Sequence, residues 1–244
     1  MGDTTRIAWC DSTINVWVGC SSPVGPGCDF CFAAAQDRRW GGGHFGPEGS
    51  LRLTSDANWR KPLRWNREAE AAGVRRRVFC GSLMDVADRA ARPEWRERLW
   101  DLIRITPWLD WQLLTKRPPN LRRMLPADWG GGYPNVWVGT TVEDRAHGLR
   151  RAALLREIPA RVRFWSAEPL LEDLGGVDLK GCDWVVAGGE SGPHHRVMDL
   201  QWVLNLQGRC REQGVAFFYK QRGGLHGGDC LLFGKEVKEW PDVG

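Results

Sequence analysis

Short apolar, often β-branched runs recur along this 244-residue chain with helix-length stretches between them, and that alternation restricts the fold more than any other feature. Runs at Ile14–Val18, Val78–Cys80, Trp111–Leu114, Asn135–Val138, Val162–Trp165, Trp184–Ala187 and Ala216–Tyr219 read as strands. Between them, Pro93–Ile105, Val142–Glu157 and Asp199–Gln213 are long enough for crossover helices, the first opening on a proline suited to a first helical turn. Repeated strand, helix, strand implies parallel strands joined by right-handed crossovers. The reading is one α/β domain over residues 1–244, a partial (β/α) TIM-like barrel of six to seven parallel strands. No Gly-x-Gly-x-x-Gly follows the first run, which disfavours a doubly wound nucleotide fold without eliminating it. Gly41–Gly43, Gly130–Gly132 and Gly223–Gly228 read as surface loops.

A glycine- and proline-rich loop at residues 19–31 holds Cys20, Cys28 and Cys31 between the first strand-like run and a helix-like one. Thiolates ligate iron–sulfur clusters, usually four at a time, so three in one loop would leave one iron open to a further ligand. Zinc competes, because Cys10 could complete a set of four thiolates, but a single Cys-x-x-Cys knuckle is half of the usual structural pattern. A redox dithiol at Cys28 and Cys31 fits less well with a third cysteine beside it. Cys80 lies inside a strand-like run and reads as a small buried hydrophobe.

Residues 1–6 carry no apolar signal segment and no run reaches the 18 apolar residues of a membrane span, so the expectation is a cytoplasmic protein with no membrane partner. The formal charge is +4, and 28 of the 34 basic residues are arginine, the side chain suited to phosphate and carboxylate forks. Charge alone leaves nucleic-acid contact undecided: groups such as Arg75–Arg77 and Arg150–Arg151 fit DNA and solvated helix faces equally.

In a parallel barrel the residues just after each strand build the site. Here those positions offer Ser82 and Asp85, Lys116 and Arg117, Thr140 and Glu143, Glu168, Glu190, and Lys220. Any one of them could be a cap or turn residue. Together they offer carboxylates for ammonium or hydroxyl groups and cations for carboxylate or phosphate, which suits a polar, zwitterionic ligand.

The ordered motifs carry a resemblance. Trp9-x-Asp-Ser-Thr13, the Gly-Cys loop with its following Cys-x-x-Cys, Ser82-x-x-Asp85, Leu114-Thr-Lys-Arg-Pro118, Ser166-x-Glu-Pro-Leu-Leu171, Gly188-Gly-Glu-Ser-Gly-Pro193 and Lys220-Gln221 span Trp9 to Gly223 in order. With them the chain resembles a phage-associated family of radical-SAM-like proteins. The resemblance implies a 4Fe-4S cluster on Cys20, Cys28 and Cys31, and S-adenosyl-L-methionine chelating the open iron. It further implies reductive formation of a 5′-deoxyadenosyl radical, an electron donor of flavodoxin or ferredoxin type, and Phe30 packed near adenine. Two departures stand out. The cysteine spacing is seven residues then two, rather than three then two, and Gly188-Gly-Glu190 follows the sixth strand-like run rather than the second.

Because of that displacement, Ser82 and Asp85 are expected to hold the methionyl ammonium, and Lys116 or Arg117 a carboxylate or phosphate. Glu168 and Glu190 are assigned to ribose hydroxyls or a substrate amine. Thr140 and Glu143 complete the cofactor-binding set, with Lys116 and Glu168 expected to act with the cysteines in catalysis. The family also implies a substrate: DNA containing modified thymidine, in which an amino-acid substituent is isomerised from nitrogen-linked to carbon-linked glycyl, a step of phage thymidine hypermodification. A radical-SAM DNA-repair lyase, a modifier of RNA or a small metabolite, and a non-enzymatic zinc or Fe–S protein that binds nucleic acid remain alternatives.

Overall fold

A computed structural model describes residues 3–243. Among the described residues nine strands form: β1 (Ser12–Ile14), β2 (Trp17–Val18), β3 (Arg52–Leu53), β4 (Arg76–Cys80), β5 (Leu109–Thr115), β6 (Val136–Thr141), β7 (Val162–Ala167), β8 (Trp184–Gly188) and β9 (Ala216–Gln221). The α-helices are α1 (Phe32–Arg39), α2 (Asp56–Trp59), α3 (Lys61–Ala72), α4 (Pro93–Arg104), α5 (Pro118–Met124), α6 (Gly148–Leu155) and α7 (Leu200–Glu212). The chain is therefore mixed α/β, with a seven-stranded sheet in the order β1-β4-β5-β6-β7-β8-β9. The pairs β1·β4, β4·β5, β7·β8 and β8·β9 are parallel, as strand–helix alternation requires. Among the described residues no helix is long and apolar enough to cross a membrane.

Contacts divide the chain into two compact units. The first comprises the chain through Pro23, Ala33–Val138 and Ile158–Arg161; the second comprises Val24–Phe32, Gly139–Glu157 and the chain from Val162 onward.

In the first unit, Ile14, Val78, Cys80, Trp111 and Leu113 of the strands and Leu99 and Ile103 of α4 are fully buried. The indole of Trp111 enters this core with its N–H satisfied by Thr106 Oγ1 at 3.0 Å. The run Ile14–Val18, expected as one strand, is two. Fully buried Asn15 breaks it, donating from Nδ2 to Ser82 Oγ and accepting the Leu83 N–H, while its carbonyl accepts from Asn58 Nδ2 and Thr54 Oγ1. Beyond Asn15 the chain leaves β4 and pairs instead with β3, antiparallel, Trp17 opposite Leu53.

In the second unit, Phe164, Trp184, Val185, Val186, Phe217 and Phe218 form the core. Trp184 stacks edge-on against Phe218 at 6.1 Å between centroids. Gly139 leaves room for the Phe164 ring, which a Cβ at that position would approach to 2.3 Å. Asp199 caps α7 by accepting the Gln201 N–H. The segment 223–228, expected as a surface loop, packs tightly at its start: a Cβ on Gly189 would lie 2.0 Å from Arg222 O. A glycine directly after β8, at Gly189, is therefore a packing requirement.

Candidate metal and cofactor site

All eight cysteines are free, and they fall into groups by depth. Cys10, Cys80, Cys182 and Cys210 are buried, Cys230 is exposed, and the three loop cysteines are half-buried. Core cysteines behave as small hydrophobes, whereas a ligand must keep one side open.

In the first unit the backbone of Cys20 is fixed on both sides: its N–H donates to His44 O and its carbonyl accepts the Gly46 N–H. Arg117, just beyond β5, places Nη2 3.2 Å from Cys20 Sγ and 2.6 Å from Ser22 O. Burial pushes the Cys20 thiol up to about 12, with the Arg117 guanidinium pulling the other way. Arg117 is in turn clamped by Asp85, which accepts its Nη1 at 2.7 Å and also the Thr115 hydroxyl and the N–H groups of Lys116 and Ala87. Asp88, fully buried, accepts both the N–H and hydroxyl of Ser21 at 2.7 Å. Burial opposes its charge, but these bonds, that from Ala90 N–H and nearby Arg117 hold its carboxyl below the usual range.

In the second unit the loop is held by the same kind of device, twice. Arg151 of α6 donates Nη2 to Val24 O at 2.7 Å, and its Nη1 serves both Thr141 O and the carboxylate of Glu143. Arg196 donates Nη2 to Pro26 O at 2.8 Å and forms a fork with Glu190, Nη2 to Oε1 at 2.7 Å and Nε to Oε2 at 2.9 Å. Gly25 is required beside the Arg151 pair, since its Cβ would lie 2.3 Å from Arg151 Nη2 and 2.7 Å from Glu143 Oε1. Cys28 and Cys31 follow, one on the 3-10 turn Pro26–Cys28 and the other just before α1, with Cys31 N–H donating to Cys28 O. Phe30 is 43% exposed, with the Arg196 guanidinium 5.1 Å from its centroid and the His194 ring at 5.9 Å.

These contacts place three of the expected residues. Asp85 accepts four hydrogen bonds on its two oxygens, from Ala87 N–H, Thr115 Oγ1, Lys116 N–H and Arg117 Nη1. Glu190 is closed by its Arg196 fork, to which Arg196 N–H adds a further bond. Glu143 is wholly buried against Arg151, although its Oε1 has no hydrogen-bond donor among the described residues. The carboxylates after β4, β6 and β8 thus hold arginines that grip the carbonyls of residues 22, 24 and 26. Asp88, Arg151 and Arg196 were not anticipated; the arginine excess was the signal, but pairing across sequence distance is invisible in composition.

The other expected residues have more freedom. Ser82 is half-buried and accepts only from Asn15 among its described contacts. Lys116 is half-buried, and its ammonium has no partner among the described residues. Thr140 is fully buried within β6 rather than at its end. Glu168 accepts from Ser166 Oγ at 3.2 Å and lies 2.7 Å from Lys220 Nζ. Of the basic residues considered for DNA, Arg75 pairs with Asp110, Arg76 with Glu68, Arg77 with Asp11 and Arg151 with Glu143, whereas Arg150 is exposed.

Among the described residues no group of three or more His, Cys, Asp or Glu side chains is arranged to hold a metal ion. The donor chemistry nevertheless fits a cluster: free, half-buried thiols on a braced loop, one of them touched by a guanidinium that would offset thiolate charge. Cys10 fits poorly as a fourth ligand, being buried with its thiol directed 3.6 Å to Ile7 O. No curated protein and no solved structure matches the chain significantly. A family profile matches residues 4–239, nearly the whole chain, and the chain belongs to that family, described as "Protein of unknown function (DUF5131)".

Proposed function

We propose that this protein is a radical S-adenosylmethionine enzyme of partial (β/α)-barrel type that carries a 4Fe-4S cluster on Cys20, Cys28 and Cys31. The observation that carries the reading is the braced loop: its three cysteines are free and half-buried, and Ser22 O, Val24 O and Pro26 O are each gripped by an arginine on a buried or nearly buried carboxylate. Such bracing suits ligands that must keep one orientation while a neighbouring coordination position turns over. When bound, the cluster would supply one-electron reduction of the cofactor's sulfonium and with it hydrogen-abstraction chemistry.

The chain's own residues then have definite tasks. Arg117 holds positive charge against the Cys20 sulfur and keeps Ser22 in place. Lys116 offers an ammonium for a carboxylate or phosphate, and Ser82 a hydroxyl. Phe30 presents an exposed face on which a purine can stack. The motif resemblance supports, as substrate, an amino-acid-modified thymidine in phage DNA whose glycyl substituent is moved from nitrogen to carbon. Duplex DNA would have to release that base from its stack to present it.

Anaerobic reconstitution with iron and sulfide tests the reading. The expected result is about four irons per chain, reductant-dependent cleavage of S-adenosylmethionine to 5′-deoxyadenosine, and loss of iron when any of Cys20, Cys28 or Cys31 becomes alanine. Stoichiometric zinc without cofactor cleavage would instead mark a non-enzymatic metal protein. Digestion of treated DNA separates the substrates: a nucleoside of unchanged mass and altered retention marks the isomerase, and a strand or base lesion restored to normal marks a repair lyase.

A further inference from the structure

We infer that the segment from Arg38 to Arg52 is a docking surface for an unpaired nucleic-acid strand, on which Trp40 stacks against a base while Arg38, Arg39 and Arg52 hold phosphates. Trp40 is 69% exposed, the most exposed of fifteen tryptophans, most of which are buried. It stands directly after α1 and before three glycines, and its ring has no partner among the described residues.

Its backbone is fixed nonetheless. Trp40 N–H donates to Gln36 O and Asp37 O, Gly42 N–H returns to Asp37 O at 2.9 Å, and Gly41 takes the left-handed φ of +72° that ends the helix. Asp37 then closes the base of the turn: Oδ2 accepts the His44 N–H at 2.9 Å and Oδ1 lies 2.6 Å from His44 Nδ1. Gly42 is needed there, since its Cβ would lie 2.3 Å from Asp37 Oδ1. The indole is presented on an ordered turn, which leaves a ligand little backbone to order.

Charge selects the partner. In the same unit Arg64, Arg75, Arg76, Arg77, Arg98 and Arg104 each pair with a carboxylate. Arg38, Arg39 and Arg52 are exposed, and none has an ion-pair partner among the described residues. Arg38 and Arg39 lie in the last turn of α1, and Gly43 O accepts the Ser50 N–H at 3.1 Å, which brings the approach to β3 and Arg52 beside the glycines. Burial opposes the Asp37 charge, but bonds from His44 and nearby Arg52 hold its carboxyl below the usual range, in keeping with that placement. Glu48 is the one carboxylate on residues 38–52, against three guanidiniums. Guanidiniums suit phosphate and an indole face suits a base; a strand carries both at every nucleotide, whereas an acidic peptide carries only the charge. Duplex bases are stacked on one another, so an unpaired strand fits better. The same segment holds Cys20, whose N–H donates to His44 O and whose carbonyl accepts the Gly46 N–H, so a docked strand lies beside the cysteine loop.

The proposed function gives such a strand a reason to be there, but the inference rests on this surface, and binding is measured without iron or cofactor, so the two fail separately. Short fluorescein-labelled strands of mixed sequence, as DNA, as RNA and as the DNA duplex, are titrated by anisotropy against the purified chain. The expected result is that a single strand binds more tightly than the duplex, and the better of DNA and RNA identifies the strand served. Trp40→Ala should weaken that strand about fivefold or more, as loss of one stacked base implies, while Trp40→Phe retains most of the affinity. Arg39→Ala should flatten the dependence of log Kd on log salt by about 0.7, the share of one phosphate. Arg104→Ala, which removes a paired arginine elsewhere, should leave that slope unchanged. These side chains are exposed, so the variants should melt like wild type. Equal affinity for strand and duplex, a Trp40→Ala variant that binds like wild type, or a slope lowered as much by Arg104→Ala as by Arg39→Ala would overturn the inference. So would competition by polyglutamate as effective as unlabelled strand at equal charge, which would mark the surface for an acidic protein instead.

Discussion

Replacing Arg151 with methionine should destabilise the protein by about 3–5 kcal/mol, the usual cost of breaking a buried ion pair from one side. The Arg151 and Glu143 side chains are 7% and 0% exposed, so water cannot replace the lost partner. Glu143 Oε1 already lacks a donor, and without Arg151 its other oxygen lacks one too. The carbonyls of Thr141 and Val24 lose bonds of 3.0 and 2.7 Å at the same time. Against a total stability of about 5–15 kcal/mol, the loss would move the urea midpoint by about a fifth of its value or more. The double variant Glu143→Leu/Arg151→Met removes both charges and should recover most of this, retaining about 1–2 kcal/mol for the two orphaned carbonyls. Fifteen tryptophans make fluorescence a suitable monitor of the transition. In the double variant the stability returns but the loop's grip at Val24 does not, so Cys28 should react faster with an aromatic disulfide reagent than in wild type. A single-variant cost below about 1 kcal/mol, or a double-variant cost equal to the sum of the two singles, would refute the account of the pair as a buried, coupled brace.

Gly189→Ala should cost about 1–3 kcal/mol or more, because the added Cβ meets the Arg222 carbonyl at 2.0 Å; Gly208→Ala in α7, whose Cβ meets nothing within 4 Å, should instead stabilise by about 0.5–1 kcal/mol, and urea midpoints measure both. Burial opposes the Asp11 charge, but hydrogen bonds from Arg77 hold its pKa below the ordinary value, so its contribution is present above about pH 4 and disappears as pH falls through the lowered folded value. Asp11→Asn should therefore be less stable than wild type at neutral pH, with the gap closing in acid melts; a gap constant with pH would contradict the Arg77 pairing. The chain has two tyrosines, and burial first, then nearby Asp128 for Tyr133 and Asp229 for Tyr219, pushes both up to about 12. A folded-state pKa above the unfolded value of about 10 means stability is lost as pH rises between the two, and an alkaline titration should show no tyrosinate step near pH 10 before unfolding.

The strands were legible because their centres are apolar, but their ends were not. Thr115, Thr140, Thr141 and Ser166 are polar yet buried within strands, so a reading by hydrophobicity stops each strand one to three residues early. Helix α3 was missed although its buried positions, Pro62, Trp65, Asn66 and Ala69, follow helical spacing. Proline and asparagine carry two of those four places, and the Asn66 side chain is buried because it accepts the Trp108 N–H. The three loop cysteines could be singled out by spacing alone. The acidic residues at the strand ends can be listed from the sequence, but their arginine partners lie 32, 8 and 6 residues away in it, and only folding brings those arginines to them.

That arrangement bears on the seven residues between Cys20 and Cys28. Ordering each residue of an irregular loop costs about 1–2 kcal/mol of backbone entropy, and no strand ladder runs through this one to offset it. Pro23 and Pro26 reduce the cost by fixing φ in the unfolded chain. Further order comes from Asp88, which holds the Ser21 N–H and hydroxyl, and from hydrogen bonds to the Ser22, Val24 and Pro26 carbonyls, each from a guanidinium that at the same time binds a carboxylate. The double task explains why arginine occupies positions 117, 151 and 196. A lysine ammonium is a compact point charge without the planar fork that spans a carboxylate and a carbonyl in fixed geometry. Arg-to-Lys changes at these positions should therefore preserve net charge and much of the stability while loosening the loop, and Arg117→Lys should be the most informative of them, since Arg117 alone also touches a cysteine sulfur. If that variant retained the full iron content and the slow thiol reactivity of wild type, the loop would owe its order to its prolines and to the Asp88–Ser21 bonds, and the arginines would be serving only their carboxylates.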